Sequence, residues 1–212
     1  MDGIFGWLGD HGAHQELIQH MAQAGNPAPE SPLHAHSSQL LGLAAGSRFG
    51  KADIHVENGL AAALMGRPHF IDDELAFIAR DRSPVVAVAH GWMRHGDGLP
   101  ALMQGNFAFA VLEPIKKRAC LALDRVGAER LCFAHRGGQL VFGSSVQQVA
   151  AHPLVGRTID PQAIYDFLYF HTIPAPRSLY QGICKLLPGQ IVTLKNGQLD
   201  TRFYWQADYA PV

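Results

Sequence analysis

The sequence predicts an α+β domain in which runs of strands are segregated from helices instead of alternating with them. Three observations carry this prediction. Short apolar, β-rich stretches start at the first residues, cluster between 106 and 142, and return between 191 and 204. Helix-periodic stretches are confined to 14–24, 72–95, 144–151 and 160–170. Of the 212 residues, 48% are hydrophobic and 17% charged, which suits one large core and argues against a disordered chain.

In chain order, residues 1–8 (MDGIFGWL) form an apolar run punctuated by glycine and read as a buried strand. Leu17, Ile18, Met21 and Ala22 recur at helical spacing within 14–24. Pro27, Pro29 and Pro32 make 25–38 a loop by expectation. Weaker strand patterns cover 40–43, 52–56 and 60–65. Residues 72–95 read as helix, with Asp72 and Asp73 at the N-terminal end where the helix dipole favours anions. Pro84 divides that stretch in two, because a mid-helix proline removes a hydrogen bond and clashes with the preceding turn.

Strands are expected at 107–112, 118–123, 131–134 and 139–142, the last two joined by a turn at Arg136-Gly137-Gly138. A short helix follows at 144–151. Asp160 before Pro161 is an N-cap followed by a first-turn proline, opening a helix that runs to Phe170. Asn196-Gly197 signals a hairpin between strands at 191–194 and 199–204.

Composition excludes several function classes. Seventeen Lys and Arg against eighteen Asp and Glu give a net charge of −1, without the basic excess of a nucleic-acid binder. No apolar run reaches the roughly 18–20 residues that a membrane-spanning helix needs. The N-terminus has no basic segment ahead of an apolar one, so a signal peptide is not expected and the chain reads as cytoplasmic. Cys120, Cys132 and Cys184 are too few and odd in number for a disulfide framework, and each lies in a β-like run where a free cysteine packs as a small hydrophobe. The twelve histidines include the close pairs His11/His14, His34/His36 and His90/His95, but none has the i, i+4 spacing of helical metal ligands, and no metal site is expected.

An ordered set of motifs spans nearly the whole chain. It comprises the opening MDGIFGWL, the stretch Gly98 to Ala110 (GLPALMQGNFAFA), Asp124-Arg125-Val126-Gly127 with Leu131, Leu140 to Ser145 (LVFGSS), residues 159–167 (IDPQAIYDF), Leu187-Pro188-Gly189 and Tyr204-Trp205. This set resembles the class II glutamine amidotransferases, in particular the glutaminase domain of glutamine-hydrolysing asparagine synthetases. The resemblance implies a four-layer αββα sandwich of the N-terminal-nucleophile hydrolase type. It places the glutaminase-like domain at 1–205 and the start of a linker toward a synthetase domain at 206–212.

The same resemblance implies a reaction in which a cysteine at residue one of the processed chain attacks the glutamine amide, with its own α-amine as base. An Asn-Gly element holds the oxyanion, an Arg binds the substrate carboxylate, and an Asp binds its amine. Here Asp2 stands at the cysteine position. A carboxylate is a poor nucleophile toward an unactivated amide, and removal of Met1 before so large a residue is not expected. Where the family reads LGHRRL, this chain reads Leu41-Gly42-Leu43-Ala44-Ala45-Gly46, without the Arg, and Arg48 lies beyond it out of register. Asn58-Gly59 matches the oxyanion dipeptide but equally suits a plain turn. Asp72 matches the amine-binding Asp but equally suits a helix N-cap.

The expectation is therefore a pseudo-glutaminase: the fold kept, no catalytic residue at Asp2, and Asn58, Gly59 and Asp72 as vestigial substrate-binding positions. The family's SGG(L/V)DS phosphate loop is absent from the sequence, so ATP and Mg are expected only in a synthetase domain, if one follows. The expected partners are that C-terminal domain of the same polypeptide and a second copy in a homodimer, with neither nucleic acid nor membrane. A standalone, non-catalytic interaction module with the same fold is the alternative. Ser144-Ser145 reads as a strand-to-helix junction and not as a hydrolase nucleophile.

Overall fold

A computed structural model of the chain describes residues 3–10, 14–25, 32–47 and 50–208. Asp2, Arg48 and His11 lie outside them. The first sheet has the strand order β10 (Ile183–Lys185), β8 (Cys132–Arg136), β9 (Gln139–Gly143), β1 (Gly3–Leu8), β3 (Leu41–Gly46), β2 (Leu33–Ser38). The second has the order β12 (Gln198–Phe203), β11 (Gln190–Lys195), β7 (Arg118–Leu123), β6 (Met103–Glu113), β5 (Leu60–Phe70), β4 (Ala52–Glu57). All pairings are antiparallel. Helices α1 (His14–Gly25) and α4 (Val146–Ala151) cover the outer face of the first sheet, and α2 (Asp73–Asp81) and α3 (Pro84–His95) that of the second. A fifth helix, α5 (Pro161–Phe170), and a 3-10 turn at Gly96–Leu102 complete the chain.

The layering follows from strands that are apolar on both faces, as strands buried on both sides must be. In β1, Ile4 and Leu8 point between the sheets, while Phe5 and Trp7 point to Ile18 and Met21 of α1 and Val149 of α4. In β6, Ala108, Ala110 and Leu112 face the first sheet, and Phe107, Phe109 and Val111 face Val88 and Trp92 of α3. Alanines of the second sheet lie opposite Phe133 and Phe142 of the first, so small and large side chains interdigitate at interior density. Gly42 has a similar role. A Cβ there would sit 2.2 Å from the Trp7 ring, which crosses β3 at the Gly42 register position.

Local signals set the helix boundaries. Ser83 accepts from Val86 N, and Pro84 occupies the first turn of α3, so the proline opens a second helix and does not merely break a longer one. Ser145 and Gln148 form a capping box at α4. Two expectations need correction. The stretch 25–38 is not all loop, because Leu33–Ser38 is an edge strand paired residue by residue with β3. Only Leu33 of this strand packs on the core, so the pairing rests mainly on backbone hydrogen bonds that leave no clear period in the sequence. The β-like run at Cys184 is the second: it forms a strand of only three residues, β10.

A charge network closes one end of the second sheet. Glu113 is buried, accepts from Trp92 Nε1 at 2.9 Å and Lys116 Nζ at 2.7 Å, and lies 3.7 Å from Arg118. Arg118 stacks over Trp92 at 4.3 Å and pairs with Asp97, which also receives Lys195. Burial alone would raise the Glu113 pKa, but the hydrogen bonds from Lys116 and Trp92 outweigh it and hold the carboxyl below its ordinary value of 4.5. A depressed carboxylate stabilises the fold above its unfolded pKa, and the contribution is lost as pH falls through the folded pKa. Glu113→Gln should therefore lower Tm at pH 7 and flatten the loss of Tm below about pH 4.5, measured by thermal denaturation across pH.

Candidate functional site

The leading end of β1 is bonded to Ser144, which borders a cleft of about 850 Å³ lined also by Leu123, Glu129, Arg130, Cys132 and Lys185, among others. Ser144 fixes this end of the strand. Its Oγ accepts from Ile4 N at 2.9 Å and lies 3.1 Å from Ile4 O, while Ser144 N donates to Ile4 O at 2.9 Å. A Cβ on Gly3 would meet Ser144 at 3.0 Å, so the strand has little lateral room there.

The opposite wall is built by the loop after β7. Asp124 is fully buried and accepts from Val126 N (3.0 Å), Ala128 N (3.1 Å) and Glu129 N (3.0 Å). Its own carbonyl accepts from Gly189 N at 2.8 Å, tying the loop to the Leu187-Pro188-Gly189 turn. Gly189 needs to be glycine: its φ is +68°, and a Cβ would strike the Trp205 carbonyl at 2.3 Å. The motif residues Asp124, Gly127, Pro188 and Gly189 thus form one wall, and the carboxylate holds backbone donors in place of a ligand.

The cleft has a mixed lining, apolar at Leu123, Leu131 and Leu186 and cationic at Arg130 and Lys185. Arg130 is exposed, and the half-buried Lys185 donates to Ile173 O at 2.6 Å. Cys132 lines the cleft, but burial pushes its thiol up to about 11, so almost none is thiolate at neutral pH. Burial likewise raises Cys120 and Cys184, and the three cysteines lie in strands as expected. Cys132 and Cys184 sit on adjacent strands yet pack into different cores on opposite faces of the sheet, so they do not face each other. The Ser144 hydroxyl is engaged on Ile4, and among the described residues no imidazole or amine bonds it to take its proton. The described lining of the cleft holds no nucleophile–base pair.

The other sequence candidates are scattered. Asn58 (φ 51°) and Gly59 (φ 77°) form the two-residue turn between β4 and β5, the conformation for which Asn-Gly is preferred. Met65, which touches Ser144 Oγ at 3.7 Å, is the middle residue of β5, and Gly59 lies six residues before it, roughly 20 Å away. The dipeptide is therefore a hairpin turn at the far end of the sandwich. Asp72 lies beyond the other end of β5, where it caps α2 by accepting from Leu75 N at 3.0 Å. That hydrogen bond lowers its pKa. Residues 41–46, the stretch matched to the family's Arg-bearing strand, form β3, apolar and without a cation. Of the histidine pairs, His34 bonds Asp53 at the exposed edge and His90 faces Arg82 on α3. Among the described residues no three His, Cys, Asp or Glu converge as metal ligands would.

Two stacked antiparallel sheets between helix layers, with the start of β1 bonded to Ser144 beside a cleft, define the N-terminal-nucleophile hydrolase class of architecture. The comparisons narrow it. The model of the glutamine amidotransferase domain matches residues 68–205, and the chain belongs to that family. Asparagine synthetase [glutamine-hydrolyzing] 3 of Bacillus subtilis (strain 168) is 22% identical over 127 residues, 59% of this chain and 21% of that protein. The chain thus spans about a fifth of the length of that curated relative. Two solved structures share the fold over 97% of this chain at 13% identity. The allosteric regulatory enzyme of purine biosynthesis matches with a TM-score of 0.59 over 49% of its own chain. Glutamine phosphoribosylpyrophosphate amidotransferase from B. subtilis, complexed with ADP and GMP, matches with a TM-score of 0.56 over 50% of its chain.

Proposed function

We propose that residues 1–205 are the amidotransferase-like domain of an asparagine-synthetase-like protein, that this domain does not hydrolyse glutamine, and that it supports an ATP-dependent amide-forming domain reached through a linker beginning at 206–212. The observation that carries the reading is Asp2 at the position of the nucleophilic cysteine in the motif, directly before β1. The absence of a nucleophile–base pair among the described lining residues supports it. So does β3, which presents Leu43, Ala44 and Ala45 where a carboxylate-binding guanidinium would stand. In this reading Asn58, Gly59 and Asp72 are structural, the protein works in the cytoplasm as a ligase, and ATP and Mg bind in the following domain.

The test is amide formation by the complete gene product. With ATP and an acceptor carboxylate, pyrophosphate release should depend on free ammonia or an amine and not on glutamine. Glutamine supporting the reaction as well as ammonia would contradict the proposal.

A further inference from the structure

The helix α5 is uncovered and largely apolar, its polar residues Gln162 and Asp166 bonded to each other at 2.8 Å along one edge. Among its ten residues only Ala163 is buried. Ile164, Tyr165, Phe167, Leu168, Tyr169 and Phe170 are 46–71% exposed. Its one charged side chain, Asp166, is paired with Arg177 at 3.1 Å, so the surface is neutral. An exposed apolar face this broad belongs against another surface. Its four aromatics alone expose on the order of 500 Å², at the scale of the largest apolar patch on an ordinary monomer and most of one side of a specific interface.

We infer that α5 is the docking surface for the further domain of the same polypeptide, an inference that rests on the reading under Proposed function. Two observations select this occupant. Trp205 N donates to Gly189 O at 3.4 Å, beside Pro188, and Pro188 lines the same cleft as Thr172 and Ala175, which follow α5 directly. The chain past Trp205 therefore starts beside the cleft that Thr172 and Ala175, two and five residues beyond α5, also line. The curated relative is also about five times as long as the share of it that this chain covers, 21%, so most of that protein lies outside the sandwich. The neutral face excludes a strongly charged partner. A membrane surface is disfavoured because α5 carries no Lys or Arg to meet lipid headgroups.

Hydroxyl-radical footprinting of the complete gene product, with its mass followed by light scattering, tests this. In wild type, Tyr165, Tyr169 and Phe170 should be oxidised at least about fivefold more slowly than in Leu168→Glu, whose sandwich should unfold at an unchanged temperature because Leu168 is 71% exposed. Tyr169→Ala should act in the same direction, so the result does not hang on one variant. Equal labelling of wild type and both variants, in a product that contains a further domain, overturns the docking surface and leaves the proposed function standing. Protection found only in a species of twice the monomer mass and lost on dilution makes the occupant a second copy and overturns the inference. A gene product of only 23.1 kDa overturns both readings.

Discussion

Asp124→Ala should destabilise the domain by about 3–4 kcal/mol, or ~10 °C in Tm for a chain of this size. The buried carboxylate accepts three backbone N–H groups at 3.0–3.1 Å, and the loop it holds forms one wall of the cleft. Truncation leaves those donors without an acceptor in a site closed to water, where each unsatisfied group costs about 1–3 kcal/mol before the loop relaxes. Asp124→Asn keeps one oxygen of the two and should lose about half as much. Asp200→Ala, on the exposed strand β12, serves as the control and should stay within about 0.5 kcal/mol of wild type. Urea denaturation of the three variants checks the ranking. An Asp124→Ala protein as stable as the control would show that the 124–129 loop is not anchored by this side chain.

The second large effect is a failure to gain activity. Asp2→Cys supplies the missing thiol and, being small, permits removal of Met1, yet it should not create a glutaminase. The strand that would carry the carboxylate clamp, β3, has no cation. The loss of a bidentate guanidinium–carboxylate pair corresponds to about 10²–10³-fold in kcat/KM. Ammonia release by the variant should therefore remain close to a buffer blank at millimolar glutamine. Ready turnover would point to another cation, such as Arg130 at the rim of the cleft, as the carboxylate partner.

Much of the architecture is legible in the sequence because its signals are local. Strand β1 announces itself by an apolar run bounded by glycines, α3 by Ser83-Pro84, and α5 by Asp160-Pro161. Strand β2 is hidden because Pro27, Pro29 and Pro32 dominate its neighbourhood and, after Leu33, its side chains are only His, Ala and Ser at a sheet edge. Strand β10 is too short for any period to show. The cleft is less legible, for a physical reason. Ser144 acts on Ile4 across 140 residues of chain, and no spacing rule encodes that bond. Asp124 lies in a recognisable motif, but its task of holding three backbone donors is visible only once the loop has closed on it. Asn58-Gly59 illustrates the opposite case, in which a local rule suffices: two successive residues with positive φ make a hairpin turn whatever the motif it resembles.

The direct test of the central claim, that an amidotransferase fold is kept without glutaminase chemistry, is continuous measurement of ammonia release from glutamine by the purified wild-type protein. The account predicts a rate indistinguishable from the buffer blank. Sustained, enzyme-dependent ammonia release that is abolished by unfolding the protein would contradict it.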